Sequence, residues 1–240
     1  KADGIIAGID VAREVLHCVD PNIRMEQYKN DGDMVHKGDI VFTLKGSSQK
    51  MLTAERTLLN FMQRMSGIAT AAHRYAEIVN GTKTTILDTR KTTPNMRIFE
   101  KYAVKVGGCQ NHRFGLFDMV MLKDNHIDFA GGIEQAIDKT KAYLAANQLD
   151  LKIEIETRNL AEVKRVMEHG GVNRIMLDNF KPEQIIEALK VIDGKYETEA
   201  SGNITMDNLR EYAETGVDFI SVGALTHHIA SLDLSLKVIK

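Results

Sequence analysis

The run Thr85-Ile86-Leu87 passes at once into Asp88-Thr89-Arg90-Lys91-Thr92-Thr93-Pro94, so apolar residues give way to charge and turn-formers. The same change recurs along the chain. Met119–Leu122 leads into Lys123-Asp124-Asn125, Leu151–Ile155 into Glu156-Thr157, and Arg174–Leu177 into Asp178-Asn179. Tyr196–Ala200 leads into Ser201-Gly202-Asn203, and Asp218–Val222 into Gly223-Ala224. Between these runs lie segments of helical periodicity: Asn95–Tyr102, Ile133–Asn147, Leu160–His169, Pro182–Val191 and Met206–Glu214. Alternating short strands and helices imply a parallel sheet covered on both faces. In a β/α barrel every strand delivers its carboxyl end to one mouth, which is where the active site forms. Repeated charged or glycine-bearing strand ends fit that mouth. No Gly-x-Gly-x-x-Gly follows the first strand, which weighs against an open dinucleotide-binding sheet. The expected class is α/β: a six- or seven-stranded α/β barrel with a smaller N-terminal α/β sandwich domain.

Outward from the barrel, residues 1–50 read as β-like. Ile5–Ile9 opens them, and Asp31 to Leu44 reads as turn, short strand, turn, strand. The Asp-Gly-Asp and Gly-Asp turns resemble half-repeats of biotinyl and lipoyl carrier domains, but no Lys sits at a hairpin tip between matched strands. A structural sandwich is the better reading. From Thr53 to Asn80 the period becomes helical through Leu58, Phe61, Met62, Met65, Ile68 and Ala69, with a break expected at Gly67. Pro182 suits the first position of a helix, Thr205 an N-cap, and Gly170-Gly171 and Gly216 helix ends. The expected domains are 1–66 for the sandwich, joined by the tail 231–240, and 67–230 for the barrel.

Composition narrows the function. The 240 residues are 43% hydrophobic and 27% charged, with a formal net charge of −2. That balance offers no basic field for nucleic acid or an anionic membrane, so the cations at the strand ends are a local device. Cys18 and Cys109 are too few for a disulfide framework and read as reduced thiols of a cytosolic protein. No apolar run approaches the ~18–20 residues needed to cross a bilayer. The chain starts at Lys1 without Met, so residues preceding it are expected.

The charges have a chemistry. Arg90 and Arg113 offer planar forks for carboxylates, flanked by Lys91 and His112. Lys123, directly after a strand, is a point charge suited to a phosphate or pyrophosphate oxygen. Lys152, Glu154 and Glu156 share one face of their strand, Glu154 lying deeper and Glu156 nearest the mouth. Glu156 with Asp178 makes a carboxylate pair that suits Mg²⁺, directly or through water, or equally ribose hydroxyls. Ser201-Gly202-Asn203 and Gly223-Ala224 are small enough to bring backbone N–H groups to an anion. His227-His228 reads as rim or interface, because adjacent side chains point apart.

These residues closely resemble the quinolinate phosphoribosyltransferase family, also called nicotinate-nucleotide pyrophosphorylase (carboxylating). The likeness covers nearly the whole chain. It runs through Ala54–Asn60, Asp88–Pro94, Asn111–Arg113, Leu122–His126, Ile153–Glu156, Met176–Asn179, Glu199–Thr205 and Ser221–His227. It implies an N-terminal sandwich, a C-terminal barrel, Mg²⁺, and a homodimer in which Arg56 enters the neighbour's site; higher assembly stays open. It also implies that Thr89, Arg90, Lys91, His112 and Arg113 surround a dicarboxylate. Lys123, Glu156, Asp178, Ser201, Gly202, Asn203, Val222, Gly223 and Ala224 would hold phosphoribosyl pyrophosphate, with Lys91, Lys123, Glu156 and Asp178 at the chemistry. Three features depart from the family pattern: the missing segment before Lys1, Cys109 in place of a smaller residue, and His228 in place of a small Ser. A mono-acid acceptor such as nicotinate would not need three Arg.

Overall fold

The computed structural model describes residues 1–239. It divides into two compact units: one of Lys1–Glu77, Lys91–Gln110 and the segment from Gly223, the other of Ile78–Arg90 and Asn111–Val222. The first unit opens with β1 (Gly4–Ile5), α1 (Ile9–Val19), β2 (Arg24–Gln27), β3 (Met34–Val35), β4 (Phe42–Lys45) and α2 (Ser48–Ile78). β1 pairs antiparallel with β3, and β2 with β4.

Helix α1 corrects the β-like reading of this region. Ile9, Ala12 and Leu16 recur at helical spacing and are buried, while Asp10, Arg13 and Glu14 take the outer face. Its start is capped from a distance. Gly8 adopts φ 98°, and the Asp31 carboxylate accepts the N–H groups of Gly8 and Ile9 at 2.9 and 3.0 Å. An acid supplied by a later loop leaves no local capping signal in the sequence.

Helix α2 runs unbroken through Gly67, correcting the expected interruption. The glycine serves close approach instead: a Cβ there would lie 2.4 Å from the Ala230 carbonyl oxygen. Leu58, Leu59 and Met62 of α2 join Ile6, Ile9 and Leu232 in one core, and each large side chain fully buried there contributes about 1.5–3 kcal/mol. The tail is also tied to α2 by Leu232 N–H to Gln63 O and Gln63 Nε2 to Leu234 O, at 2.9 and 2.8 Å. α3 (Arg97–Val106) belongs to this unit too.

The second unit follows the strand–helix alternation: β5 (Thr85–Leu87), β6 (Val120–Leu122), α4 (Asp124–Ala130), α5 (Ile133–Ala146), β7 (Ile153–Thr157), α6 (Leu160–His169), β8 (Arg174–Asp178), α7 (Pro182–Ile192), β9 (Glu197–Ser201), α8 (Leu209–Glu214) and β10 (Phe219–Ser221). The sheet order is β5-β10-β9-β8-β7-β6, all parallel. The first strand therefore pairs with the last, which is barrel order; a doubly wound sheet would reverse direction partway. Six strands pair, and β5 and β6 form the two edges of the ladder. Pro182 opens α7 as expected. Thr205 is not an N-cap, because α8 begins only at Leu209 and the Asn208 side chain accepts the Thr205 N–H at 2.8 Å. α4 was not expected; Asp124-Asn125 reads as a turn, yet Ile127 buries one face and Gly131 ends the helix with φ 99°. α9 (Ala224–His227) completes the first unit.

Candidate active site

Most predicted site residues of the second unit lie at or just beyond a strand's carboxyl end; His112 and Arg113 lie instead in the segment between α3 and β6. After β5, Asp88 is fully buried and ties down the next segment: its Oδ1 accepts the His112 N–H at 2.9 Å and its Oδ2 the Asn111 Nδ2–H at 2.6 Å. A buried carboxylate needs such donors. Thr89 and Arg90 follow, half-buried. Arg113 donates to the Met119 carbonyl at 3.1 Å. Burial, then the charge of Arg90, holds the Arg113 guanidinium below its ordinary value. Two cations whose charges oppose one another gain from an anion placed beside them.

Behind them lies a buried ion cluster that sequence reasoning found only in part. His112 Nε2 lies 2.9 Å from Glu154 Oε2 and 3.3 Å from Glu199 Oε2. Arg174 Nη1 reaches Glu199 Oε2 at 2.9 Å, with its guanidinium over the Phe219 ring. Glu154 and Glu199 are both fully buried. Burial and then the Glu199 charge push the Glu154 carboxyl up, to about 7. Burial works against a charged His112, but the two carboxylates outweigh it and pull its pKa up to about 9. The Arg113 N–H opposes them: it donates to Nδ1 at 2.7 Å, to a lone pair that an imidazolium lacks. The geometry is that of a neutral ring with its proton on Nε2, facing the carboxylates. The ligand atoms of His112, Glu154 and Glu199 lie within 4.8 Å of one another, close enough for a metal. Arg174 supplies a cation to Glu199, while both Glu154 oxygens and Glu199 Oε1 meet no well-aligned hydrogen-bond donor among the described residues. Glu199 and Arg174 lie on β9 and β8, and only their strand positions hint at a partnership with His112.

At the ends of β6 and β7, Lys123 Nζ forms a short ion pair with Glu156 Oε1. The Asp124 N–H reaches Glu156 Oε2 at 3.3 Å. The His126 Nδ1 accepts the Lys123 N–H at 3.0 Å, which fixes the backbone where α4 begins. Glu156 is nearly buried while Lys123 is exposed. On β8, burial and then the Glu156 charge push the Asp178 carboxyl up, so these two acids form the neighbouring-strand pair that the sequence suggests. After β9, Gly202 and Asn203 have φ of 93° and 55°, and Asn203 Nδ2 donates to Asn179 Oδ1 at 3.0 Å. A Cβ on Gly202 would sit 2.2 Å from that Asn179 oxygen, so only glycine fits. The helix expected straight after this loop starts several residues later, at Leu209.

The unit boundary falls between Arg90 and Lys91 and between Val222 and Gly223. On the first unit's side, the Thr226 hydroxyl donates to Lys91 O at 2.9 Å. A Cβ on Gly223 would lie 3.1 Å from Lys91 Cδ, so the lysine stem runs against the Gly223-Ala224 turn. Arg56 is exposed on α2 and makes no ion pair among the described residues.

With this arrangement established, the comparisons decide the family. The family description "Quinolinate phosphoribosyl transferase, N-terminal domain" matches residues 1–66, and the corresponding C-terminal domain matches residues 68–237. The chain belongs to the quinolinate phosphoribosyl transferase family. Among relatives, the Nicotiana tabacum protein named quinolinate phosphoribosyltransferase [decarboxylating] 1b is 46% identical across 99% of this chain and 71% of its own length. A probable nicotinate-nucleotide pyrophosphorylase [carboxylating] of Bacillus subtilis is 42% identical across 99% of this chain and 81% of its own length. The crystal structure of NadC from Streptococcus pyogenes superposes with a TM-score of 0.94 at 41% identity, covering 99% of this chain and 83% of that one. The family's two-domain organisation and parallel α/β fold are thus both present. No helix among the described residues is long and apolar enough to cross a membrane.

Proposed function

We infer that this enzyme transfers the phosphoribosyl group of phosphoribosyl pyrophosphate to quinolinate with decarboxylation, giving nicotinate mononucleotide, pyrophosphate and carbon dioxide in NAD biosynthesis. The observation that carries this reading is the match of both family domains over residues 1–66 and 68–237, beside which Arg113 is pressed by burial and by the charge of Arg90. Such a pair is relieved by an anion, and quinolinate brings two carboxylates. Thr89, Arg90, Lys91, His112 and Arg113 are assigned to it. Because both His112 ring nitrogens face the protein's own groups, its part is to hold Arg113 in place.

The second substrate takes Lys123, Glu156 and Asp178, with Ser201–Asn203 and Val222–Ala224 offering backbone groups to phosphate. The quinolinate ring nitrogen attacks C1 of the sugar as pyrophosphate leaves. Positive charge grows on the ribose, where Glu156 and Asp178 stabilise it electrostatically. Lys123 guides the pyrophosphate and, through its ion pair, holds the Glu156 carboxylate at the mouth. The pyridinium product then loses the carboxylate next to nitrogen as carbon dioxide; the cationic ring accommodates the electron pair left on that carbon until it takes up a proton from water. Arg90 and Arg113 orient the ring for both steps.

Magnesium suits the hard oxygens present. Asp178 is raised by a like charge and gains from a cation, whereas Glu156 is already engaged by Lys123. Asp178 is therefore the first ligand and Glu156 the second, directly or through water. When bound, the ion neutralises charge on the departing pyrophosphate. The exposed Arg56 completes the neighbouring protomer's site in a homodimer. Release of labelled carbon dioxide from carboxyl-labelled quinolinate, dependent on phosphoribosyl pyrophosphate, tests the reaction. Release without the sugar phosphate, or none with it, overturns the reading.

A further inference from the structure

In the first unit, one buried carboxylate and one guanidinium connect three segments that are distant in sequence. Glu100 of α3 is fully buried. Its Oε1 accepts from Arg64 Nε and Nη2 at 3.1 and 2.8 Å, and its Oε2 accepts the Thr93 N–H at 3.1 Å. Arg64 Nη2 also donates to Thr93 Oγ1 at 3.2 Å and to the Thr226 carbonyl at 2.6 Å. Thr226, itself fully buried, returns its hydroxyl to Lys91 O at 2.9 Å. The circuit therefore closes from α2 through α3 and the Lys91–Thr93 segment to the turn at Gly223–Thr226.

Charge buried this way is a poor source of stability, because desolvating two ions offsets most of their attraction and an apolar pair of similar volume does as well. What it supplies is direction. The guanidinium fork fixes angles as well as distances. The residues it fixes are backbone groups of the two segments that hold substrate in the function proposed above.

We propose that Arg64, Glu100 and Thr226 are positioning residues that lock the Lys91 backbone to the Gly223 turn, so that the lysine for the dicarboxylate and the turn for the sugar phosphate are placed together. None of the three touches substrate. The inference rests on the assignment of Lys91 to quinolinate and of Gly223-Ala224 to phosphoribosyl pyrophosphate.

Thr226→Val keeps the shape and removes only the hydroxyl, leaving Lys91 O without this donor. It should raise the KM for quinolinate about tenfold and raise the KM for phosphoribosyl pyrophosphate in the same direction, with the thermal midpoint almost unchanged. Thr226→Ser retains the hydroxyl and should restore both constants. The deciding measurement is a double-mutant cycle with Lys91→Ala. If Thr226 acts through Lys91, the quinolinate effect of Thr226→Val disappears once Lys91 is gone. Additive effects overturn the proposal, as does a lowered midpoint with unchanged KM values, or a Thr226→Ser variant no better than Val. A Lys91→Ala enzyme with wild-type quinolinate KM overturns the assignment of Lys91 and the inference with it. A Lys91→Ala enzyme that fails on quinolinate beside a normal Thr226→Val enzyme overturns the inference alone.

Discussion

At Arg113 two opposing demands meet. Burial and the neighbouring Arg90 make its charge costly, while the Met119 carbonyl and the anchored His112 hold it in place. A group kept charged against such pressure loses its purpose once substrate charge is absent. Arg113→Ala should therefore weaken quinolinate binding by roughly 2–5 kcal/mol while phosphoribosyl pyrophosphate affinity changes little. Calorimetry with each substrate separately checks this, and unchanged quinolinate affinity would remove Arg113 from the carboxylate site. His112 carries a second expectation at this scale. Burial lowers the ring's affinity for a proton, but the carboxylates outweigh it and would keep the ring cationic until pH rises through about 9. The Arg113 amide at Nδ1 favours the neutral ring instead. Ring-nitrogen NMR shifts near neutral pH should show the neutral form protonated at Nε2; an imidazolium signature persisting towards pH 9 would mean that the carboxylates win. Two cations of this site were readable because Arg90 and Lys123 follow apolar runs, and Arg113 because it stands beside His112 after a glycine turn. The burial of His112 was not, because its partners Glu154 and Glu199 come from two separate strands.

Among the elements, α2 shows how a local preference yields to packing. Alanine is favoured over glycine inside a helix by about 1 kcal/mol, so Gly67→Ala ought to stabilise α2 taken alone. In the folded unit the new Cβ would lie 2.4 Å from Ala230 O and 3.0 Å from Ser231 Cα, both backbone atoms that cannot rotate away. Overpacking of this kind costs typically 1–3 kcal/mol. The net outcome should be a loss of about 0.5–2 kcal/mol, read as a lower urea midpoint at unchanged slope; a higher midpoint would mean that the tail gives way easily. The same competition explains which elements the sequence revealed. α6 and β8 follow from periodicity and clear punctuation. α1 hides behind the apolar Ile5–Ile9 run and is capped by Asp31 from another segment. α4 begins in Asp124-Asn125, residues whose side chains compete with helical hydrogen bonding. Contacts set by tertiary structure, such as Arg64 to Glu100, leave no spacing to read.

For the whole molecule, Arg56 makes the decisive prediction. It is exposed, carries no intramolecular ion pair among the described residues, and lies well upstream of the other assigned residues. If it serves a neighbouring site, Arg56→Ala and Lys123→Ala homodimers should each be nearly inactive. A mixed dimer then has one intact site and one that carries both defects. Random reassortment makes about half of the dimers mixed, so activity should return to roughly a quarter of wild type. A pull-down with differently tagged chains must first show that subunits exchange. Exchange without recovery would assign Arg56 to its own chain. Strand order has a further consequence, for the birth of the protein. β5 pairs only with β10, the strand synthesised last. On the ribosome, β5 therefore emerges early with its ladder groups unmatched, and Ile86 and Leu87 wait for a partner that does not yet exist. The sheet can grow from β6 to β10, but the step that brings β5 home spans the whole unit. Such a long-range pairing raises the contact order of the unit and slows its folding. A chain stalled before Phe219 would present that lone strand to its neighbours on a polysome, where association competes with folding.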